Sequence, residues 1–86
     1  MKVIVPGQLY DYTAGRSRIE GSGATLDAVL DDLDRRHPGL RFRVVDEQGN
    51  IRQHIRFFVN RESVTSLACR VSAQDELLVV AALSGG

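Results

Sequence analysis

The chain has 86 residues, enough for one small domain and too few for a two-domain enzyme with a deep cleft. Eleven basic and eleven acidic side chains cancel, so no whole-molecule field concentrates the protein on nucleic acid or an anionic membrane. Cys69 stands alone, which excludes an intrachain disulfide and suits a reducing cytoplasm. No apolar run approaches the roughly 20 residues of a membrane helix, so a cytoplasmic protein is expected.

Val3-Ile4-Val5 predicts a short buried strand ended by Pro6-Gly7, and Arg16 to Glu20, bracketed by Gly15 and Gly21-Ser22-Gly23, a second strand paired with it as a hairpin. Tyr10 and Tyr12 in the intervening loop are expected to pack it against the sheet edge. Thr25 is a suitable N-cap, Asp27 places a negative charge in the first turn, and Leu26, Val29, Leu30 and Leu33 follow helical spacing. Arg35, Arg36 and His37 suit the C-terminal end of that helix, and Pro38-Gly39 stops it. Asp31, Asp32 and Asp34 then fall away from the Leu stripe; a solvated face is expected there and not a cation site, because no oxygen-rich loop of defined spacing accompanies them.

After a short segment from Leu40 to Val45, Asp46-Glu47-Gln48-Gly49-Asn50 is a polar turn. Ile55 to Asn60 is the clearest strand: Ile55, Phe57 and Val59 alternate onto one face, leaving Phe58 among polar neighbours on the other. Arg61-Glu62 is a tight connection, Val64 to Val71 an irregular stretch, and Leu77 to Leu83 an apolar run like a central strand. The sum is an α+β domain with one main helix laid across a mixed sheet.

Independent catalysis finds little support. His37, His54 and Cys69 lack the paired spacing of zinc ligands, no motif marks Cys69 as a nucleophile, and there is neither a phosphate-cradling Gly-Lys loop nor a serine elbow. The chain ends in Leu83-Ser84-Gly85-Gly86. Without a Cβ, two glycines can enter a channel closed to other residues. The four residues span at most ~14 Å extended. A free carboxylate at Gly86 is an anion at neutral pH and a poor electrophile, so its chemistry requires activation, as by attack on ATP to give an acyl-adenylate.

The helix signature, the strand from Ile55 through Arg61-Glu62, and above all Asp75-Glu76-Leu77-Leu78-Val79-Val80-Ala81-Ala82-Leu83-Ser84-Gly85-Gly86 resemble the ubiquitin-like sulfur carriers, among them the molybdopterin synthase small subunit and the thiamin sulfur carrier. The resemblance implies a β-grasp domain over residues 1–83 and a flexible reactive tail over 84–86. It also implies a Gly86 that a ubiquitin-activating-enzyme-like partner adenylates with ATP, that a sulfur donor protein converts to a thiocarboxylate, and that a sulfur-acceptor enzyme consumes. Gly85 and Gly86 match the family's tail, Leu83 and Ser84 would enter the partner with them, and Asp75 and Glu76 match its acidic pair. Phe58 falls where the family keeps an exposed apolar residue for partners. Gln74 and Arg61 depart from the pattern, standing where many members have glycine. With nothing after Gly86, no maturation protease is implied.

On this reading the chain is a protein co-substrate, binds no cofactor of its own, and meets partners through Phe58 with Leu78 and Val80, if Leu77 and Val79 face the core. Two other readings stay open: a ubiquitin-like modifier joined through Gly86 to lysines, and an interaction module with an inert tail. Molybdopterin, thiamin, cysteine and siderophore pathways are all possible destinations for the sulfur.

Overall fold

A computed structural model describes residues 1–82. Five strands, β1 (Lys2–Ile4), β2 (Arg18–Glu20), β3 (Ile55–Val59), β4 (Glu62–Val64) and β5 (Glu76–Ala81), form one sheet in the order β2-β1-β5-β3-β4. β5 lies between β1, its parallel partner, and β3, its antiparallel partner; the outer pairs β1–β2 and β3–β4 are antiparallel. The main helix, α1 (Leu26–Arg36), crosses one face, and a short α2 (Leu40–Val44) follows it. This is the expected β-grasp arrangement.

α1 forms for the reasons the sequence suggests. Thr25 Oγ1 accepts from the Ala28 N–H at 3.1 Å, and Leu26, Val29, Leu30 and Leu33 are all completely buried. Burial of each side chain stabilises the fold by about 2 kcal/mol. The sheet supplies the opposite wall through Val3, Ile19, Ile55, Phe57, Leu77 and Val79. The irregular stretch after β4 turns out to cap the helix: Leu26 N–H donates to Cys69 O and Asp27 N–H to Leu67 O, both at 2.9 Å, satisfying donors that the helix itself leaves open.

Several local expectations are corrected. β2 starts at Arg18 and not at Arg16, because Arg16 is held in a turn: its N–H donates to Thr13 O, while buried Thr13 Oγ1 donates to Arg16 O at 2.7 Å. The loop before it is a 3-10 helix, Gly7–Tyr12, anchored by buried Leu9; Tyr12 packs on the core near Gly39, whereas Tyr10 is exposed. Leu40 to Val44 is helical because Leu40 and Val44, one turn apart, are both buried and Asp34 Oδ1 accepts from the Gly39 and Arg41 N–H groups. Glu62–Val64 is a short strand joined to β3 by Asn60-Arg61, both at positive φ (50° and 74°). The final strand runs Glu76–Ala81, so it starts one residue before the expected Leu77 and stops before Ala82; Leu83, its expected end, lies outside the described residues.

Asp32 is also misplaced by the stripe argument. It is buried, accepts from the Ser22 N–H at 2.9 Å and from Arg36 Nε at 2.8 Å, and also pairs with Arg35. Burial alone raises its pKa, but the Arg36 and Ser22 hydrogen bonds and the two guanidinium charges together outweigh that and leave it lowered. Asp31 pairs with Arg41, which also bonds Asp27. Asp34 thus caps α2, while Asp31 and Asp32 neutralise arginines.

Candidate functional site

β5 is the launching element for the tail. Its alternation sends Leu77 and Val79 into the core and leaves Leu78 and Val80 half-buried on the outward face, the parity expected from sequence. Phe58 stands opposite Leu78, Arg56 opposite Val80, and Ile4 on the other side opposite Leu78. Phe58, Leu78 and Val80 are therefore brought together, and Ile4 joins them. Sequence reasoning missed Ile4 because Val3-Ile4-Val5 is apolar throughout, although Lys2, two residues before Ile4 on the same strand face, carries the signal that Ile4 points outward. Charged residues frame the row: the Lys2 ammonium lies 3.6 Å from the Glu76 carboxylate, and Arg18 is the register partner of Ile4.

At the far end of β5, the Ala82 N–H donates to His54 O at 2.7 Å, so the backbone is fastened to the residue before β3 up to the last described position. Leu83, Ser84, Gly85 and Gly86, where the chemistry is expected, lie outside the described residues. At the near end, Asp75 is a fastener. Its carboxylate accepts from Ser72 N–H and Asn60 Nδ2, each at 2.8 Å, while Asn60 Oδ1 accepts from Glu76 N–H. The Ser72 and Asn60 hydrogen bonds hold the Asp75 carboxyl below the usual carboxylate range. Of the acidic pair, one residue locks the turn into β5 and the other pairs with Lys2.

Cys69 is half-buried, with its backbone carbonyl committed to the α1 cap and its thiol near Arg70 O. Among the described residues no group of His, Cys, Asp and Glu side chains is placed to hold a metal ion, and no helix is long and apolar enough to cross a membrane. What the described surface offers is a shallow apolar row on a rigid sheet beside a strand that leads to two glycines.

A model of the ThiS family matches residues 3–86. The chain belongs to the ThiS family. Members are ubiquitin-like sulfur carriers, substrates of partner enzymes and not catalysts in their own right. This ThiS-family chain is 30% identical to the sulfur carrier protein CysO of Mycobacterium tuberculosis, over 98% of its own length and 96% of the relative's. Its fold superposes on a chain of the Amycolatopsis orientalis BexX/CysO complex with a TM-score of 0.90, at 33% identity and with 99% and 98% of the two chains covered. Small archaeal modifier protein 1 (SAMP1) of Haloferax volcanii is also similar, with a TM-score of 0.78, 31% identity and coverage of 99% and 97%.

Proposed function

We propose that this ThiS-family chain carries sulfur as a thiocarboxylate on Gly86. A carboxylate oxygen of Gly86 attacks the α-phosphorus of ATP in an adenylating partner, and pyrophosphate leaves. A sulfur nucleophile then attacks the acyl carbon, expelling AMP. When the donor is a protein persulfide, an added thiol reductant cleaves the resulting acyl disulfide to the thiocarboxylate. The acceptor enzyme takes the sulfur, and water returns the carboxylate.

The observation that carries this reading is the family match running through Gly86, on a domain whose central strand leads toward the glycines. The sheet supplies a rigid handle and the outward row Ile4, Phe58, Leu78 and Val80 a docking surface, while the tail spans at most ~14 Å into the partner. Similarity to proteins named CysO directs the first search for an acceptor toward enzymes of the kind that CysO proteins serve.

Intact-mass spectrometry of the protein with the adenylating enzyme of its genome, ATP and a sulfide source tests the proposal. The expected result is the gain of one oxygen-to-sulfur exchange, localised to Gly86, and its loss when Gly86 is deleted or amidated while the domain stays folded. No gain, or a gain that survives deletion, overturns it. The likeness to small archaeal modifier protein 1 favours a second reading, in which the acyl-adenylate is captured by a lysine amine. That reading predicts protein adducts in lysate that resist reducing agents.

A further inference from the structure

Arg52 and Arg56 differ from the other arginines in how they are held. Neither has a carboxylate partner among the described residues, yet each guanidinium is fixed on backbone carbonyls. Arg52 Nε donates to Phe42 O at 2.7 Å, with the guanidinium over the Phe42 ring, 4.6 Å from its centre. One terminal nitrogen of Arg56 donates to Gln53 O at 2.7 Å and Ile55 O at 2.9 Å. These bonds fix where the positive charge sits without neutralising it, whereas Arg35, Arg36 and Arg41 are each paired with aspartate.

Their placement is as specific as their orientation. The two arginines flank His54, whose carbonyl holds Ala82, and Arg56 is the register partner of Val80 at the end of the outward apolar row. They line a groove of about 400 Å³ whose apolar walls include Ile51, Ile55, Phe57 and Val64. Both arginines therefore lie on the segment that fastens Ala82, the last described residue between β5 and the tail. The adenylating enzyme is the first partner to take the tail under both the carrier and the modifier readings.

We infer that Arg52 and Arg56 form a cationic rim at the root of the tail that pairs with carboxylates at the mouth of the adenylating partner's channel. The inference rests on the proposed activation of Gly86. The apolar row supplies contact area, while the rim steers the encounter and sets the orientation in which the tail enters. Rim charges of this kind act mainly on association, and salt weakens them because the Debye length shrinks from ~10 Å at 0.1 M to ~3 Å at 1 M.

The test is carrier-dependent ATP–pyrophosphate exchange by the adenylating enzyme of the same genome, with carrier concentration varied at low and high salt. Arg52→Glu, which lies outside the strands, and Arg56→Gln, which keeps an N–H donor for the carbonyls, are compared with Phe58→Ala, all checked for folding by thermal unfolding. At low salt, Arg52→Glu is expected to raise KM by about tenfold and Arg56→Gln by severalfold, with kcat unchanged, and both effects shrink at high salt. The Phe58→Ala effect persists at high salt, since apolar contact is not screened. Changes in KM within twofold at low salt, or effects that salt leaves untouched, overturn the rim. If the unaltered chain supports no exchange at all, the activation of Gly86 is overturned instead, and the rim falls with it.

Discussion

Phe58 on β3 and Leu78 on β5 are direct cross-strand partners, and Leu78 is also the register partner of Ile4 on β1. Three adjacent strands thus contribute one apolar row to the face opposite the helix. Its position in the middle of the sheet matters, because strands bonded on both sides cannot shift register without breaking the core alternation behind them.

Neighbouring phenylalanines of opposite parity give a controlled comparison. Phe57 is almost completely buried and Phe58 only partly. Phe57→Ala is expected to cost about 3–5 kcal/mol, comparable to the entire stability of a domain this small. Phe58→Ala should cost about 1 kcal/mol or less in stability but weaken binding to the adenylating enzyme about tenfold or more, because a central aromatic is the type of residue that dominates interface energetics. Urea unfolding and calorimetric titration read the two effects separately. Equal losses of stability would contradict the parity, and unchanged affinity for Phe58→Ala would contradict the docking row.

Gly23 is required by packing. A Cβ built there would meet Val29 N at 2.7 Å and Ala28 C at 2.8 Å, both helix backbone atoms that cannot rotate aside. Gly23→Ala is therefore expected to destabilise the domain by about 1–3 kcal/mol, through displacement of α1 from the strand-to-helix connection. Gly15→Ala meets no atom within 4 Å, but its φ of +78° carries backbone strain, so its smaller cost has a different cause. Urea midpoints of the two variants provide the measurement.

Arg61 occupies the second position of the Asn60-Arg61 connection, with φ at 74°. A two-residue hairpin turn with both residues left-handed favours Asn-Gly, and a long side chain there carries strain of about 1 kcal/mol or more. Arg61→Gly should relieve it, with a net stabilisation of about 0.5–1 kcal/mol after the larger unfolded-state entropy of glycine. The thermal midpoint is expected to rise by a few degrees. A fall would mean that the Arg61 side chain makes contacts worth more than the strain.

The legible parts of the fold were those with a repeating signal. Thr25 followed by the Leu26, Val29, Leu30 and Leu33 stripe specified α1, and alternation through Ile55 and Phe57 and through Leu77 and Val79 specified which face of the sheet is buried. α2 was not recognisable because five residues give little periodicity and its first turn depends on Asp34 from another helix. The spacing alone places Asp32 in solvent, because the pattern marks apolar positions and says nothing of the Ser22 amide that donates to it. The rim of Arg52 and Arg56 depends on the sheet bringing His54 to Ala82, a pairing that no local spacing encodes. The Gly-Gly tail was legible as a motif, and the Asn60–Asp75 fastener beneath its strand was not, since its partners are 15 residues apart in sequence.

That fastener makes stability depend on acid. The Ser72 N–H and the Asn60 amide both donate to the ionised Asp75 carboxylate, and its pKa in the folded protein is lowered accordingly. An unfolded chain titrates this group near pH ~3.9. The fold therefore gains the Asp75 contribution fully above that value and loses it as pH falls through the lower, folded-state pKa. Asp32, also lowered, adds to the same acid-side slope. Urea midpoints are expected to hold steady from neutrality to about pH 5 and to fall steeply below about pH 4. Asp75→Asn removes the charge and turns an amide toward the Asn60 amide, so it should lower the midpoint at pH 7 and flatten the acid-side decline, leaving the slope that Asp32 supplies. The two curves then converge in acid, where the parent's carboxyl is protonated as well. Parallel curves from pH 7 to 2.5 would show that the Asp75 contacts, although present in the fold, do not favour its ionised form.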